Sequence, residues 1–193
     1  MHNIITLNKV DEKEIKEMIN MHVTNLPDSI LSLTSYSYLR NLYISFIQNK
    51  NKTIRIIKKD GKIIAFYVFS MGKTSYISKL NISSFINLFL NILQNPKFII
   101  EIFIQLYLSL KINSFELEHI IIKKKFRGLG IGKKLIKDFI MLNKQYKSKT
   151  AFTLTSNERL TKHYIDNYSC IINKEYRFNN KKFYLIKFKF NKN

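Results

Sequence analysis

"KKKFRGLGIGKKLI", Lys123 to Ile136, holds three of the chain's five glycines, Gly128, Gly130 and Gly132, within five positions. Lysines flank the cluster and an apolar-periodic run follows at once. A glycine-rich turn that opens a helix gathers unpaired backbone N–H groups at the positive end of that helix. Without Cβ atoms, an anion can approach those groups directly. An ordinary tight connection needs one glycine; three at alternate positions point to anion binding. Spacing separates the rival phosphate loops. A P-loop reads G-x-x-x-x-G-K-[ST], but Arg127 stands five residues before Gly132-Lys133, and Lys134 occupies the Ser/Thr position. A dinucleotide fingerprint reads G-x-G-x-x-G, and after Gly128 and Gly130 the third glycine arrives one residue too early. Neither motif fits.

Upstream of the loop, "SFELEHIIIK" (114–123) reads as a strand running into it. Downstream, "IGKKLIKDFIMLNKQY" (131–146) reads as a helix with Ile131, Leu135, Phe139 and Leu142 inward and Lys133, Lys134, Lys137 and Lys144 outward. "KTAFTLTS" (149–156) is a further strand, and "NERLTKHYIDNY" (157–168) a short helix capped from Ser156-Asn157. "CIINKEYRF" and "KKFYLIKFKF" close the chain as a hairpin-like strand pair. Before the loop, "NIITLNKV" (3–10) is a strand and "DEKEIKEMINMHVTNL" (11–26) a helix. Asp11 is its N-cap, and Glu14 stands three residues on, in the capping-box position. "SYLRNLYISFIQN" (37–49) sets Leu39, Leu42, Tyr43, Phe46 and Ile47 on one helical face. In "KTIRIIKKDGKIIAFYVFSM", two β-branched runs flank Asp60-Gly61, a tight hairpin. Residues 73–113 hold two apolar helical stretches broken near Asn95-Pro96. Interrupting polar residues keep each short of the ~20 apolar residues of a membrane span.

The expected fold is therefore α/β, one domain over 1–193. A mixed, largely antiparallel central sheet is flanked by helices, with a helical insertion (73–113) before the strand that enters the glycine loop. A content of 46% hydrophobic residues suffices for a packed core at this length. The formal charge of +20 comes from 33 basic side chains of which only five are arginines. Lysine serves phosphate as a point charge, whereas base-specific nucleic-acid readers rely on bidentate arginine, so no specific nucleic acid is expected. Cys170 is alone and the four histidines are scattered without metal-ligand spacing, so neither a disulfide nor a metal is expected. The opening residues turn polar and charged within eight positions, unlike a secretory signal, and the expected location is the cytoplasm. Segment 82–110 could give a peripheral contact with the inner membrane or a homodimer.

The loop resembles the acetyl-CoA pyrophosphate loop of the GNAT acyltransferase superfamily, [RQ]-x-x-G-x-[GA], matched by Arg127-x-x-Gly130-x-Gly132. The resemblance extends upstream through Glu116-Leu117, Ile120 and Ile122. Downstream, Asn157-x-x-Leu160-x-x-His163-Tyr164 is similar to the superfamily's N-x-x-A-x-x-[FL]-Y. Leu160 replaces the usual small residue, and Tyr168-Ser169 stands where a glycine-phenylalanine commonly follows. The likeness covers about fifty residues with its pieces in the required order. It implies a GNAT-like fold and an acetyl-CoA-dependent N-acetyltransferase acting by direct attack of a primary amine on the thioester. Backbone amides of Arg127, Gly128, Leu129, Gly130, Ile131, Gly132 and Lys133 would hold the pyrophosphate, with Lys133 or Lys134 near the outer phosphates. Ile120 and Ile122 would line the pantetheine arm with their backbone groups, and Asn157 would belong to the same coenzyme site.

For the chemistry, Tyr164 is the expected proton donor or thiol partner, since a phenol is a donor at neutral pH. Glu116 is the expected base. Side chains alternate along a strand, so Glu118 is expected on Glu116's side and His119 on the other. The stretch after the first helix and the apolar-basic insertion also resemble bacterial GNAT proteins associated with surface polysaccharides, which implies an amino sugar, free or nucleotide-linked, as acceptor. A basic nucleic-acid-binding or membrane-surface protein without catalysis is the alternative reading. It leaves the loop and the Tyr164 spacing without a role.

Overall fold

The computed structural model describes residues 3–27, 29–71, 115–146, 150–178 and 181–190; the expected helical insertion at 73–113 lies outside them. Strand β1 (Ile4–Thr6) leads to helix α1 (Glu12–Asn25), a 3-10 turn (Ile30–Leu33) and helix α2 (Tyr36–Gln48). Asp11 caps α1, its side chain accepting from the backbone N–H groups of Lys13 and Glu14. The reciprocal half of the capping box is not made, because the Glu14 carboxylate is drawn into an ion pair with Lys58. Burial of Ile15, Met18, Ile19 and His22 follows the i, i+3, i+4, i+7 stripe of an amphipathic helix.

Strands β2 (Lys52–Lys59) and β3 (Lys62–Met71) form the expected hairpin. Asp60 and Gly61 both take positive φ, 51° and 71°, as a two-residue turn compatible with right-handed strand twist requires. Strand β4 (Phe115–Ile122) pairs antiparallel with β3, and helix α3 (Ile131–Gln145) follows the glycine loop. Strand β5 (Thr150–Thr155), helix α4 (Glu158–Asn167) and the hairpin β6 (Cys170–Phe178)–β7 (Lys181–Lys189) complete a seven-stranded sheet ordered β1-β2-β3-β4-β5-β7-β6. All neighbours are antiparallel except β4 and β5. That pair is joined through helix α3, since parallel neighbours need a crossover.

The sheet is covered on both sides. Strand β3 is buried almost end to end, with Phe66 and Val68 in a cluster under α1 and α2, and Tyr67 and Phe69 in a second cluster under α3 and α4. Within α3 the inward set is Ile131, Leu135, Ile136, Phe139 and Asn143; Leu142 is only partly buried. Helix α3 is also pinned by Asp138. Arg55 of β2 donates to both of its carboxylate oxygens at 3.0 and 2.9 Å, and the Tyr67 hydroxyl donates at 2.6 Å. Bidentate charge-assisted bonds of this kind fix orientation as well as distance. They hold the helix whose first turn is the glycine loop. Among the described residues no helix is long and apolar enough to cross a membrane. The segment 82–110 lies outside them.

Candidate active site

Strands β4 and β5 meet at only two register positions, Phe115 with Ala151 and Glu116 with Phe152. The Thr153 hydroxyl then donates to the Leu117 carbonyl at 2.8 Å and closes the vertex. Beyond it the strands diverge. From Glu118 to Ile122 the edge of β4 facing β5 has no ladder partner among the described residues, an opening about 16 Å long at ~3.3 Å per residue. Exposed backbone groups on such an edge can pair with an extended ligand that carries amides of its own.

The glycine loop stands at the wide end of this opening. Gly128 and Gly130 take φ of 80° and 75°, a region that costs a side-chain-bearing residue about 1–2 kcal/mol. A Cβ at either would meet nothing within 4 Å, so backbone conformation, not crowding, requires glycine there. At Gly132 a Cβ would lie 3.4 Å from Ile122 Cδ1, which shows how closely α3 begins against the last residue of β4. The loop is held by Arg127. Its Nε donates to the Ile122 carbonyl at 3.2 Å and its Nη2 to Asn25 Oδ1 at 2.9 Å, at the end of α1. Backbone bonding resumes with Lys134, whose N–H donates to Gly130 O. The N–H groups of Gly128 through Lys133 have no partner among the described residues, and Leu129, Gly130 and Lys133 are exposed. Six successive donors at a helix N-terminus make an anion cradle. That donor set, beside an open strand edge, suits a pyrophosphate with an amide-bearing arm.

Glu116 lies at the vertex. Across the sheet Lys52 pairs in register with Ser70, Ser70 with Glu116, and Glu116 with Phe152, so these four side chains form one row. Burial, with the nearby Glu118 adding to it and Lys52 opposing both, raises the Glu116 carboxyl to about 7. Glu118 and Lys52 are themselves an ion pair at 2.6 Å, with side chains only 1% and 4% exposed. Lys52 also sits over the Phe46 ring at 4.1 Å. Near Glu116 the Ser70 hydroxyl is buried and has no hydrogen-bond partner among the described residues.

The alternation expected of β4 is broken. Val68 pairs with His119 and Phe69 with Leu117, leaving Glu118 as the extra residue of a β-bulge. His119 is thereby turned to the α1/α2 face, on the same side as Glu116 and Glu118, and the expectation that it faces away is corrected. Its Nε2 lies 3.5 Å from the Tyr43 hydroxyl, and its ring lies 5.2 Å from that of His22. His22 in turn meets the Tyr43 hydroxyl at 2.7 Å and Ser29 Oγ at 3.2 Å. Burial holds both imidazoles down to about 3, aided at His119 by Lys52 and at His22 by His119. They are neutral hydrogen-bonding groups across the physiological range.

Tyr164 approaches from the other face. It is 3% exposed, packed edge-on against Phe188 at 5.6 Å and close to Tyr168 and Cys170. Burial raises its hydroxyl, so it remains a protonated donor, and the Cys170 thiol is likewise pushed up to about 12. Asn157 is the N-cap of α4, its Oδ1 accepting from Leu160 N at 3.0 Å. Its side chain is thus used to set the helix that carries Tyr164. Ile120 and Ile122 lie on the open edge, their side chains against the second cluster. Sequence reasoning missed Lys52, Ser70, His22 and Tyr43. The alternation Lys52, Ile54, Ile56 did place a lysine on a buried face, a signal that could have been used.

Residues 104–167 match the family model described as an acetyltransferase (GNAT) domain. No match was found among curated proteins. The chain is similar in fold to a protein from Pyrococcus horikoshii OT3, with 15% identity, 99% of each chain covered and a TM-score of 0.62. It is also similar to arylalkylamine N-acetyltransferase 2 from Aedes aegypti, with 17% identity, 98% of this chain and 100% of that one covered, and a TM-score of 0.59. A PaiA N-acetyltransferase from Thermoplasma acidophilum in complex with coenzyme A aligns with 11% identity, 97% of this chain and 99% of that one, and a TM-score of 0.57.

Proposed function

We propose that the chain, whose residues 104–167 match a GNAT acetyltransferase domain, catalyses acetyl-CoA-dependent acetyl transfer, and that the acceptor is the primary amine of a small molecule, with an amino sugar, free or nucleotide-linked, as the first candidate. Bound acetyl-CoA supplies a thioester carbonyl open to attack by a neutral amine. The observation that carries the reading is Glu116 at the vertex of the β4/β5 opening, a buried carboxyl held near 7 beside the exposed edge of the strand that leads to the anion cradle. A carboxylate of that basicity accepts the amine's proton, directly or through one water, far better than an ordinary glutamate.

The remaining roles follow from position. The N–H groups of Gly128 to Lys133 hold the pyrophosphate, with Arg127 bracing the loop through Ile122 and Asn25. Backbone groups near Ile120 and Ile122 align the arm and polarise the carbonyl. Tyr164, buried and held protonated, donates to the departing thiolate. A cytoplasmic location, and a membrane-peripheral or dimeric role for 82–110, belong to the same proposal and are tested by fractionation and liposome co-sedimentation.

The deciding experiment is thiol release from acetyl-CoA across amino sugars, nucleotide-linked amino sugars, polyamines, amino acids and peptides. Turnover with an amino sugar supports the reading. Turnover confined to peptides overturns the acceptor class, and the absence of any turnover, with salt-sensitive DNA binding instead, overturns the whole.

A further inference from the structure

We propose that the buried Lys52–Glu118 ion pair, created by the β4 bulge, is a positioning device that keeps the Lys52 ammonium off Glu116 and so leaves Glu116 a competent proton acceptor. The proposal rests on Glu116 being the base. Its foundation is the register. Lys52, Ser70 and Glu116 occupy one row on adjacent strands, so an ammonium on a long stem from Lys52 is aimed across β3 at Glu116 over the short serine. Neighbouring strands are ~4.8 Å apart, which puts Glu116 two strands from Lys52 and within reach of an extended lysine. In an unbulged strand Glu118 would pair opposite Val68; instead Val68 faces His119, and Glu118 is the unpaired extra residue. There its carboxylate meets Lys52 Nζ at 2.6 Å, almost fully buried.

Two carboxylates thus compete for one ammonium, and the bulge decides the outcome in favour of Glu118. Among the described residues the charged groups facing Glu116 are Lys52 of β2 and Glu118 of β4 itself. Ser70 of β3 and Phe152 of β5 flank it in the row without charge, while His119, with Tyr43 of α2 and His22 of α1 behind it, adds neutral polar groups on the same face. A neighbouring cation favours the ionised form of a carboxyl and a neighbouring anion disfavours it. Pairing Lys52 with Glu118 offsets both, and burial is left as the main influence on Glu116. Ser70, with its hydroxyl lacking a hydrogen-bond partner among the described residues, keeps the gap narrow and polar.

The test titrates Glu116 directly by carbon NMR of side-chain-labelled glutamate, using Glu116→Gln to assign the signal, alongside the pH profile of kcat/KM. In Glu118→Gln the Lys52 ammonium turns to Glu116, and the Glu116 midpoint is expected to fall by about one pH unit or more, an opposite charge at close range being worth 1–3. In Lys52→Met it is expected to rise. In the double variant, which removes both charges, it is expected to return toward the wild-type value, as a double-mutant cycle requires of a coupled pair. An unchanged midpoint in Glu118→Gln overturns the proposal, as does a double variant that matches either single one. Should Glu118→Gln fail to fold, Glu118→Asp keeps the charge but withdraws it from Lys52; a smaller shift in the same direction supports the proposal, and no shift overturns it. If the midpoint moves while the kcat/KM profile does not, the pairing stands and the base assignment falls.

Discussion

Replacing Glu116 by glutamine separates the cost of burying a carboxylate from its use. The rise from 4.5 to about 7 corresponds to roughly 3 kcal/mol, at about 1.4 kcal/mol per pH unit. The sign follows from proton binding. Between 4.5 and 7 the folded protein holds a proton on Glu116 that the unfolded chain has released. The associated stability is fully present below about 4.5 and is lost as pH rises through 7. Glutamine has no charge to bury, so Glu116→Gln should gain on the wild type as pH rises. The gap should grow by up to roughly 3 kcal/mol between pH 4.5 and 8, or about 6–12 °C in Tm for a domain of this size. Differential scanning calorimetry of both proteins at pH 5 and pH 8 measures that growth. His22 and His119 respond to pH in the opposite direction, but they are common to both proteins and cancel in the difference. Activity should move the other way: kcat/KM of the wild type falls tenfold per pH unit below about 7, and the variant loses roughly 10²–10⁴-fold and that pH slope together. A Tm difference equal at both pH values would refute the burial argument. An acid limb that survives in Glu116→Gln would refute the assignment of the base.

Three further outcomes are expected. Gly130→Glu forces a side chain into φ 75° and an anion into the cradle, so the stabilisation by saturating acetyl-CoA, ~2.7 kcal/mol at a hundredfold excess over Kd, should vanish in a thermal-shift assay. Tyr164→Phe should lower kcat by about 10²-fold while leaving acetyl-CoA binding, read by calorimetry, nearly unchanged; an equal loss in both would make Tyr164 a packing residue. His22 and His119, held down to about 3, stay neutral in the fold while the unfolded chain gains protons below about 6.5. Stability should therefore fall from pH 6.5 toward 3, and a His22→Gln/His119→Gln variant should flatten that limb in urea titrations.

Much of the frame was legible because it is written in local chemistry. The Asp60-Gly61 turn, the Asp11 and Asn157 caps and the positive φ of Gly128 and Gly130 each follow from what one or two residues permit. The capping box was half right, since Glu14 found Lys58, forty-four positions away, more attractive than its own helix terminus. In α3 periodicity marked Leu142 as inward, where the helix buries Asn143 instead and satisfies its Nδ2 through the Phe139 carbonyl at 2.7 Å.

The sequence by itself determined the glycine cradle, the strand entering it and the helices on either side, because backbone conformation and alternation act over a few residues. Only the tertiary structure decided which face His119 occupies. Alternation sets it opposite Glu116 and Glu118, but the register between β3 and β4 skips a residue, and that register is set by packing between strands whose partners lie some fifty positions apart. The same skip brings Glu118 to Lys52, sixty-six positions away in the chain, and leaves Glu116 with its proton affinity set by burial. A one-residue slip reverses a side chain's face without changing the composition of the strand. No pattern within β4 alone could have recorded it.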